Sequence, residues 1–408
     1  MDPCRRAPAR AAGQAGLTRL FPREGIRRSG PGRRTSGVRC RRELMCKEGL
    51  QSLFPMEEIA IMGLWELLPH IYNVKRKIKD TLDAAILFRP HAVVTVDSKG
   101  FSFRLLQQLK CRYNQKVDSP LHVHYVAPSF WAWKGGERRL SKLHNFVDHM
   151  LCILPFEDEI CRLHGLPATY VGHPLLDDAA GLNVAGTSLQ HKNVDSELSP
   201  DMSMRQRSGE AFRLEHGLSP VIPVAPHRDV RTYVENVVRS LPFPVVLIPG
   251  GSLEKRYGAF NASKAALCTS GTAVMEVMLA KLPCVVAYQA HFLTECFIHL
   301  RKKINFISLP NILLDSPIVP EILFRACTDK NLAAKLSEVI FNDEVRQLQV
   351  GSAERMLQVL YEPIKRQGNL FAEELGDSGL SSDVYSPSTI AALTVLYTDK
   401  NRRMVHRN

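Results

Sequence analysis

The sequence lacks several patterns that would indicate a function class at once. It holds ten cysteines, but no C-x-x-C pair and no paired cysteine and histidine spacing, so no zinc site is indicated. It also has no run of about 18 apolar residues, and no segment is therefore predicted to span a bilayer. Scattered cysteines within apolar runs are typical of buried free thiols in a reducing compartment.

Acidic residues are nearly absent from residues 1–42. This segment carries twelve arginines against Asp2 and Glu24, a net charge of +10, and contains no lysine. The rest of the chain holds 41 basic and 39 acidic side chains, so a nucleic-acid-binding face is not indicated. An arginine-rich leader with few acids is typical of an organelle transit peptide, and a disordered extension without a targeting role is the alternative.

Strand patterns alternate with helix patterns in two regions of the chain. Residues 43–178 and 211–365 each contain several such units, which predicts an α/β fold of two Rossmann-like parallel-sheet domains facing a cleft. A ligand is expected in that cleft, at the carboxyl ends of the strands. Residues 179–210 are polar and without period, as a linker would be, and residues 366–408 are predicted to form a loosely ordered polar tail.

One strand–turn–helix junction has the features of a phosphate-binding turn. An apolar run ends at Cys268, and a helical pattern follows with Glu276 on its first turns. Ser270 and Thr272 can cap the helix or donate hydrogen bonds, and Gly271 lets an anion approach the backbone. An ordinary junction without a ligand has the same appearance and stays an alternative.

A second candidate is Asp97, which directly follows the apolar run AVVTV. That run predicts a buried strand over residues 91–96. Since open α/β sheets hold their chemistry at the carboxyl ends of strands, Asp97 is a candidate general base. An N-cap of the following helix explains an aspartate at this place equally well.

The segment IMGLWELLPHI is strongly apolar. Met62, Trp65 and Leu68 recur in it at helical spacing. An ordinary core-facing helix explains this spacing, and a surface that accepts acyl chains is the functional alternative.

Aromatic and basic side chains lie together in the segment SFWAWKGGERR. Trp131 stands beside Lys134, Arg138 and Arg139. Aromatic faces with cations suit a sugar phosphate or a membrane surface. A half-buried aromatic loop followed by a solvated basic helix fits the pattern as well.

Eight segments along residues 44–360 carry a family resemblance when they are taken together. They are MGLWELLPH, VTVDSKGFS, HVHYVAPSFWAWKGGER, LPFE, VGHPLLD, CTSGTAVMEV, PCVVAYQAHFLTE and ISLPNILLDSPIVPE. In this order they resemble the lipid-A-disaccharide synthases, inverting glycosyltransferases of the two-domain GT-B architecture. The arginine-rich leader is similar to that of a plant-type mitochondrial member.

The resemblance implies a reaction between UDP-2,3-diacylglucosamine and 2,3-diacylglucosamine 1-phosphate. The products are the β-1,6-linked lipid A disaccharide 1-phosphate and UDP. Asp97 would take the proton of the acceptor 6-hydroxyl. The residues expected to contact the UDP-sugar are Ser270, Gly271 and Thr272 at the pyrophosphate, Glu276 at the ribose, and Asn311 and Glu321 as further contacts.

The same resemblance implies contacts with lipid. Met62 and Trp65 are expected to meet acyl chains, and Trp131, Lys134 and Arg138 the acceptor or anionic headgroups. We expect no cofactor, no metal ion and no nucleic acid. Peripheral association with the mitochondrial inner membrane and a homodimer are compatible with the family.

Two segments of the family pattern are absent from the sequence. One is the opening strand with its G-E-x-S-G-D turn, and the other is an L-P-G-S-R segment whose arginine would have met the donor pyrophosphate. Their absence lowers the activity expected of this chain. A truncated remnant that binds nucleotide sugar or membrane without turnover therefore stays an alternative, as does another GT-B enzyme such as a UDP-sugar epimerase.

Overall fold

The computed structural model describes residues 19–20, 52–54, 71–113, 119–181, 220–225, 228–290, 292–375 and 386–405. These residues belong to two compact units. The first unit contains the described residues up to Leu176 together with those from Leu360 onward, and the second contains those from Asp177 to Val359. Both units are mixed α/β with parallel sheets, as the sequence predicts.

The strands and helices are numbered in chain order. The strands are β1 (Arg19–Leu20), β2 (Ala92–Val96), β3 (Leu121–Tyr125), β4 (His149–Cys152), β5 (Ala168–Tyr170), β6 (Val221–Pro223), β7 (Val246–Ile248), β8 (Ala266–Cys268), β9 (Cys284–Tyr288) and β10 (Glu321–Leu323). The helices are α1 (Ile71–Phe88), α2 (Lys99–Tyr113), α3 (Glu137–Leu140), α4 (Glu157–Leu163), α5 (Leu175–Gly181), α6 (Arg228–Arg239), α7 (Leu253–Ala262), α8 (Thr272–Leu279), α9 (Phe292–Arg301), α10 (Leu309–Leu314), α11 (Asp329–Phe341), α12 (Asp343–Leu375) and α13 (Pro387–Val405).

The first unit is built on one sheet with the strand order β1-β2-β3-β4-β5. Strands β2 to β5 are parallel, and the two-residue β1 pairs antiparallel with β2. Every residue of β2 and β3 is buried. Burial of both faces explains the nearly continuous apolar run AVVTV of β2. In β3 (LHVHY) two histidines alternate with apolar residues, and both are hydrogen-bonded inside the protein.

Two hydrophobic clusters cover the two faces of this sheet. On one face Val93 and Met150 pack with buried side chains of α1 and α2, among them Ile78, Leu105 and Leu109. On the other face Val94, Val123 and Leu151 pack with Ile364 and Phe371 of α12 and with Ile390, Ala391 and Val395 of α13. The sheet is therefore the middle layer of an α/β sandwich.

The C-terminal region differs from the predicted loosely ordered tail. Helix α12 continues to Leu375, and α13 occupies Pro387–Val405. Buried Ile390 and Val395 lie on the side of α13 that faces the sheet, and Arg402 Nη2 donates a hydrogen bond to the Ser119 carbonyl at 2.9 Å. The prediction was wrong for these helical residues because the charged side chains of α13 masked a short apolar stripe at helical spacing.

The second unit contains two separate parallel sheets in the part of the chain that the structure describes. One has the order β10-β9-β8, and the other is the pair β6-β7. The core of the larger sheet is formed by β9 and by buried side chains of α8, among them Met275 and Met278. Gln349 of α12 accepts from the Cys284 N–H and donates to the Cys284 carbonyl, which fastens α12 to β9.

All seven cysteines in the described ranges are free thiols, with Cys152, Cys161 and Cys284 buried. None of the described helices combines the length and the apolar character that crossing a bilayer requires.

Candidate functional site

Asp97 stands at the carboxyl end of β2, the second strand of the first sheet. Both of its backbone groups are held, because its N–H donates to the Tyr125 carbonyl at 2.9 Å and its carbonyl accepts from Ser102 Oγ at 2.8 Å. Its side chain is exposed and takes part in no hydrogen bond or ion pair with the described residues. The turn thus presents a carboxylate to solvent on a rigid support, and Asp97 is not acting as an N-cap.

The backbone of this turn is strained. Asp97 has a φ of 47° and Ser98 a φ of 41°, so two consecutive non-glycine residues occupy the left-handed region. Such a conformation costs about 1 kcal/mol or more per residue, although aspartate tolerates it better than most side chains. Strain of this kind is retained where the surroundings fix it, and it clusters at functional sites.

The loop after β3 stands next to the Asp97 turn, since the carboxyl ends of neighbouring parallel strands lie along one sheet edge. The loop begins at Val126, whose φ of 76° is unusual for a β-branched residue. It continues into a 3₁₀ turn over Phe130–Ala132. The two strained segments are adjacent because β2 and β3 pair in register.

Trp131 lies inside the protein rather than on its surface. Its indole N–H donates to Glu157 Oε1 at 3.1 Å, and its ring packs edge-on against Phe156 at a centroid distance of 4.9 Å. Of the two interpretations of the segment SFWAWKGGERR, this placement favours the half-buried aromatic loop. Trp131 fixes the loop from within and does not present its ring to a ligand.

Glu157 is the buried partner that holds this loop. Its carboxylate also accepts from the backbone N–H groups of Ile153 and Leu154, at 3.3 and 3.1 Å. Burial raises the pKa of Glu157 from 4.5 to about 7, against the lowering effect of its hydrogen bonds with Trp131 and the backbone. The segment LPFE therefore ties the end of β4 to the loop after β3.

Cations cover the outside of the same loop. Lys99 Nζ lies 5.7 Å and the Arg139 guanidinium 5.8 Å from the centroid of the Phe130 ring. Lys134 and Arg138 are exposed, as a phosphate-binding role requires. Lys99 had no role in the sequence interpretation, but it follows Asp97 by two residues and adds to this basic surface. Met62, Trp65 and Leu68 lie outside the described residues.

In the second unit, the turn after β8 leads into α8 through Gly271. Its φ of 134° and ψ of −150° belong to a region that is open almost only to glycine, and a Cβ there would meet no atom within 4 Å. Glycine is thus required by the backbone and not by crowding. No side chain caps the N-terminus of α8, so its first N–H groups are available to an anion.

The accessible face of α8 is narrow. Val274, Met275 and Val277 are buried, whereas Thr272 and Ala273 are exposed and Glu276 is partly exposed. Residues three and four apart share a face of a helix, so these last three side chains form one strip that starts at the turn. A ligand bound at the N-terminus of α8 would extend along this strip.

Glu276 is held by an arginine that the sequence interpretation did not include. Arg256 Nη2 on α7 donates to Glu276 Oε1 at 3.1 Å. Arg256 Nε lies 3.1 Å from Oε2, an ion-pair distance at which the N–H direction misses the oxygen. Both side chains are largely shielded from water, with exposed fractions of 24% and 16%.

Glu321 is the centre of a hydrogen-bond network next to the Gly271 turn. Its carboxylate accepts from Ile307 N–H, Ser308 N–H and Ser308 Oγ, the last at 2.6 Å. It accepts from Asn311 Nδ2 at 2.9 Å, while Asn311 exchanges two bonds of 2.8 Å with the backbone of Val319. The carboxylate is used inside the protein, where it shapes the segment around Ser308.

This centre reaches the turn through Ser270. The Ser270 hydroxyl donates to the Ile307 carbonyl at 2.7 Å, and the Ile307 N–H donates to the Glu321 carboxylate. The structure thus joins the predicted Ser270, Asn311 and Glu321 in one network. Ser308, which is buried and central to it, was missed, since a lone serine before a proline-containing helix gives no distinct signal in a sequence.

Two histidines of the first sheet, His122 and His124, are buried, a third, His149, is partly buried, and all three are neutral. Burial lowers the pKa of His122 to about 4, of His124 to about 3 and of His149 to about 4. One ring nitrogen of each is hydrogen-bonded within the unit, as in the 2.8 Å contact of His124 Nδ1 with Thr95 Oγ1. They belong to the core, and no group of three or more metal-ligating side chains occurs in the ranges described.

Known proteins similar to this chain agree in their description. A family model described as lipid-A-disaccharide synthetase matches residues 25–198 and 218–375. The probable mitochondrial lipid-A-disaccharide synthase of Arabidopsis thaliana is 47% identical over 381 residues, covering 86% of this chain and 82% of that protein. The lipid-A-disaccharide synthase of Rhodospirillum centenum is 35% identical over 325 residues, covering 75% and 78%.

Among solved structures, UDP-GlcNAc 2-epimerase from Neisseria meningitidis bound to UDP-GlcNAc is similar with a TM-score of 0.37 and 14% identity. The similarity covers 74% of this chain and 84% of the epimerase. A resemblance of this size supports no inference about function.

Proposed function

Since this chain belongs to the lipid-A-disaccharide synthase family, we propose that the Asp97 turn and the Gly271 turn serve the two substrates of that reaction. The enzyme is a glycosyltransferase of lipid A biosynthesis. It joins UDP-2,3-diacylglucosamine to 2,3-diacylglucosamine 1-phosphate and releases UDP. The roles of individual residues follow from the chemistry of their positions.

The exposed, unbonded carboxylate of Asp97 is the observation that carries the proposal. Asp97 takes the proton of the acceptor 6-hydroxyl, and the oxygen then attacks the anomeric carbon of the donor. The bond between that carbon and the β-phosphate oxygen breaks, and its electron pair leaves with UDP. Attack from the opposite face inverts the anomeric centre and gives the β linkage.

The Gly271 turn is the proposed site of the UDP-sugar. Backbone N–H groups at Gly271 and Thr272 stabilise the charge that develops on the pyrophosphate. Ser270, whose hydroxyl donates to the Ile307 carbonyl, holds the turn that presents them. Glu276 lies farther along the exposed strip of α8, at the place where the ribose hydroxyls would follow. Asn311 and Glu321 act here by holding Ser308 and Ser270 in place.

The basic surface around Phe130 is the proposed acceptor side. Lys134 and Arg138 would pair with the 1-phosphate or with anionic headgroups. We retain Met62 and Trp65 as the acyl-chain contacts, which fits a peripheral enzyme that draws its substrates from a membrane. Because the Arabidopsis relative is described as mitochondrial, a mitochondrial location is proposed for this chain too, with residues 1–42 as the targeting segment.

The test is the identity of the product. Purified chain is given UDP-diacylglucosamine labelled in the sugar together with unlabelled acceptor, and the lipids are separated. Labelled disaccharide 1-phosphate that forms only with acceptor supports the proposal. A labelled UDP-sugar epimer formed without acceptor would identify an epimerase, and UDP-sugar binding without any product would identify a remnant, which the two absent family segments would then explain.

A further inference from the structure

The ion pair between Arg256 and Glu276 has no part in the scheme above. It joins α7 to α8 across a separation of 20 residues, and it lies at the end of the exposed strip that begins at the Gly271 turn. Glu276 is the one acidic side chain of that strip. Arg256 therefore contacts Glu276, the side chain proposed to bind the UDP-sugar, and has no proposed contact with the UDP-sugar itself.

The pair is better suited to fixing geometry than to adding stability. Two largely shielded charges lose much of their hydration, and this loss offsets most of the attraction between them. The imperfect direction of the Arg256 Nε–H bond weakens the pair further. What the guanidinium supplies is orientation, because its planar fork meets both carboxylate oxygens at 3.1 Å.

An oriented carboxylate can still bind a ligand. Each oxygen of an ionised carboxylate can accept more than one hydrogen bond, so the contact with Arg256 does not prevent Glu276 from accepting from a ligand. A carboxylate held in one orientation meets two neighbouring hydroxyl groups in a fixed direction. The vicinal hydroxyls of a ribose are such a pair of donors.

We propose that Arg256 is a positioning residue for the nucleotide: it holds the Glu276 carboxylate in the orientation that accepts the ribose hydroxyls of UDP. This inference rests on the ribose-binding role proposed for Glu276. Arg256 touches no substrate atom in this account, and its effect is confined to recognition of the sugar of the nucleotide.

The experiment compares UDP with 2′,3′-dideoxy-UDP, which lacks the two hydroxyls. Calorimetric affinities of both probes are measured for the unsubstituted chain, Arg256→Gln, Arg256→Lys and Glu276→Gln. The unsubstituted chain should prefer UDP by about tenfold or more, the usual size for hydrogen bonds to a charged group. Arg256→Gln and Glu276→Gln should both reduce that preference to nearly one, and Arg256→Lys should leave an intermediate value.

The control is Arg231→Gln, which removes a 2.7 Å pair with Glu235 on α6 of the same unit. It should leave the preference for UDP unchanged. A purely structural Arg256 would, when replaced, weaken both probes equally and keep their ratio, and this result would overturn the inference. Retention of the ratio in Glu276→Gln would instead overturn the ribose role itself, so the two failures can be told apart. Arg256→Lys keeps the charge and gives a reading if Arg256→Gln does not fold.

Discussion

Replacing Glu321 with glutamine should loosen the segment that carries Ser308 and, through Ile307, the Ser270 hydroxyl. Four donors meet the Glu321 carboxylate: two backbone N–H groups, the Ser308 hydroxyl and the Asn311 amide. Glutamine keeps one acceptor oxygen and replaces the other with a donor. With the amide oxygen in the place of Oε1, the Ile307 N–H loses its bond to Oε2 and faces an N–H group there, and all four donors lose a charged acceptor.

The size of the effect follows from these contacts. Hydrogen bonds to a charged acceptor contribute about 1.5–3 kcal/mol each, and neighbouring bonds are not additive, so a loss of about 3 kcal/mol in the free energy of unfolding is expected. Since Ser270 Oγ bonds the Ile307 carbonyl at 2.7 Å, displacement of Ile307 should also move the Gly271 turn. We expect the KM for the UDP-sugar to rise about tenfold while the KM for the acceptor stays unchanged.

The measurement is a urea titration of each variant with steady-state kinetics on both substrates. Glu354→Gln is the matched control, since Glu354 makes a surface pair with Lys281 in the same unit, and surface pairs contribute about 1 kcal/mol at most. If Glu321→Gln has the same urea midpoint and the same donor KM as Glu354→Gln, the network does not support the turn and the reasoning is refuted.

Two further predictions concern the backbone of the turn and the buried histidines. Gly271→Ala should cost about 1–3 kcal/mol of stability and weaken UDP binding, because a φ of 134° strains any residue with a side chain although space for a Cβ exists. The control is Gly351→Ala in the interior of α12, where a Cβ also has space, and it should be neutral or stabilising. Equal effects of the two substitutions in urea and UDP titrations would contradict this prediction. Stability should be greatest above pH 6.5 and fall towards pH 4, because His122 and His124 bind protons in the unfolded chain but stay neutral in the folded chain. For His122 alone, the free energy of unfolding should fall by about 3 kcal/mol over this range. Glu157 opposes this trend, since its raised pKa makes the folded chain bind a proton between pH 4.5 and 7, so a urea midpoint that did not fall between pH 7.5 and pH 5 would show that the histidine contribution is smaller than stated.

Local patterns predicted the parts of the fold that depend on one stretch of chain. The run AVVTV predicted a strand, and the structure places β2 at Ala92–Val96 with both faces buried. The small polar turn before α8 was predicted in the same way. The end of the chain was predicted wrongly, because the apolar stripe of α13 is short and only contact with the sheet shows that it is a core face.

The position of a candidate residue was predictable where it depends on one stretch of chain. The position of Asp97 directly after β2 is an example, because the end of a buried strand is visible in the sequence. Pairs across elements were not predictable: nothing in the spacing of Arg256 and Glu276 shows that α7 and α8 bring them within 3.1 Å. The buried position of Trp131 was not predictable for the same reason, since its N–H donates to Glu157, which lies 26 residues farther along the chain.

The central claim is that Asp97 performs the chemistry while the second unit binds the nucleotide. Turnover and UDP affinity, measured side by side for Asp97→Asn, test it most directly, with exposed Asp83→Asn on α1 as the control. Asparagine tolerates the left-handed backbone of the turn, so the fold should be kept. We predict that kcat falls about 10²–10⁴-fold in Asp97→Asn with the Kd for UDP unchanged. Turnover equal to that of Asp83→Asn would contradict the account.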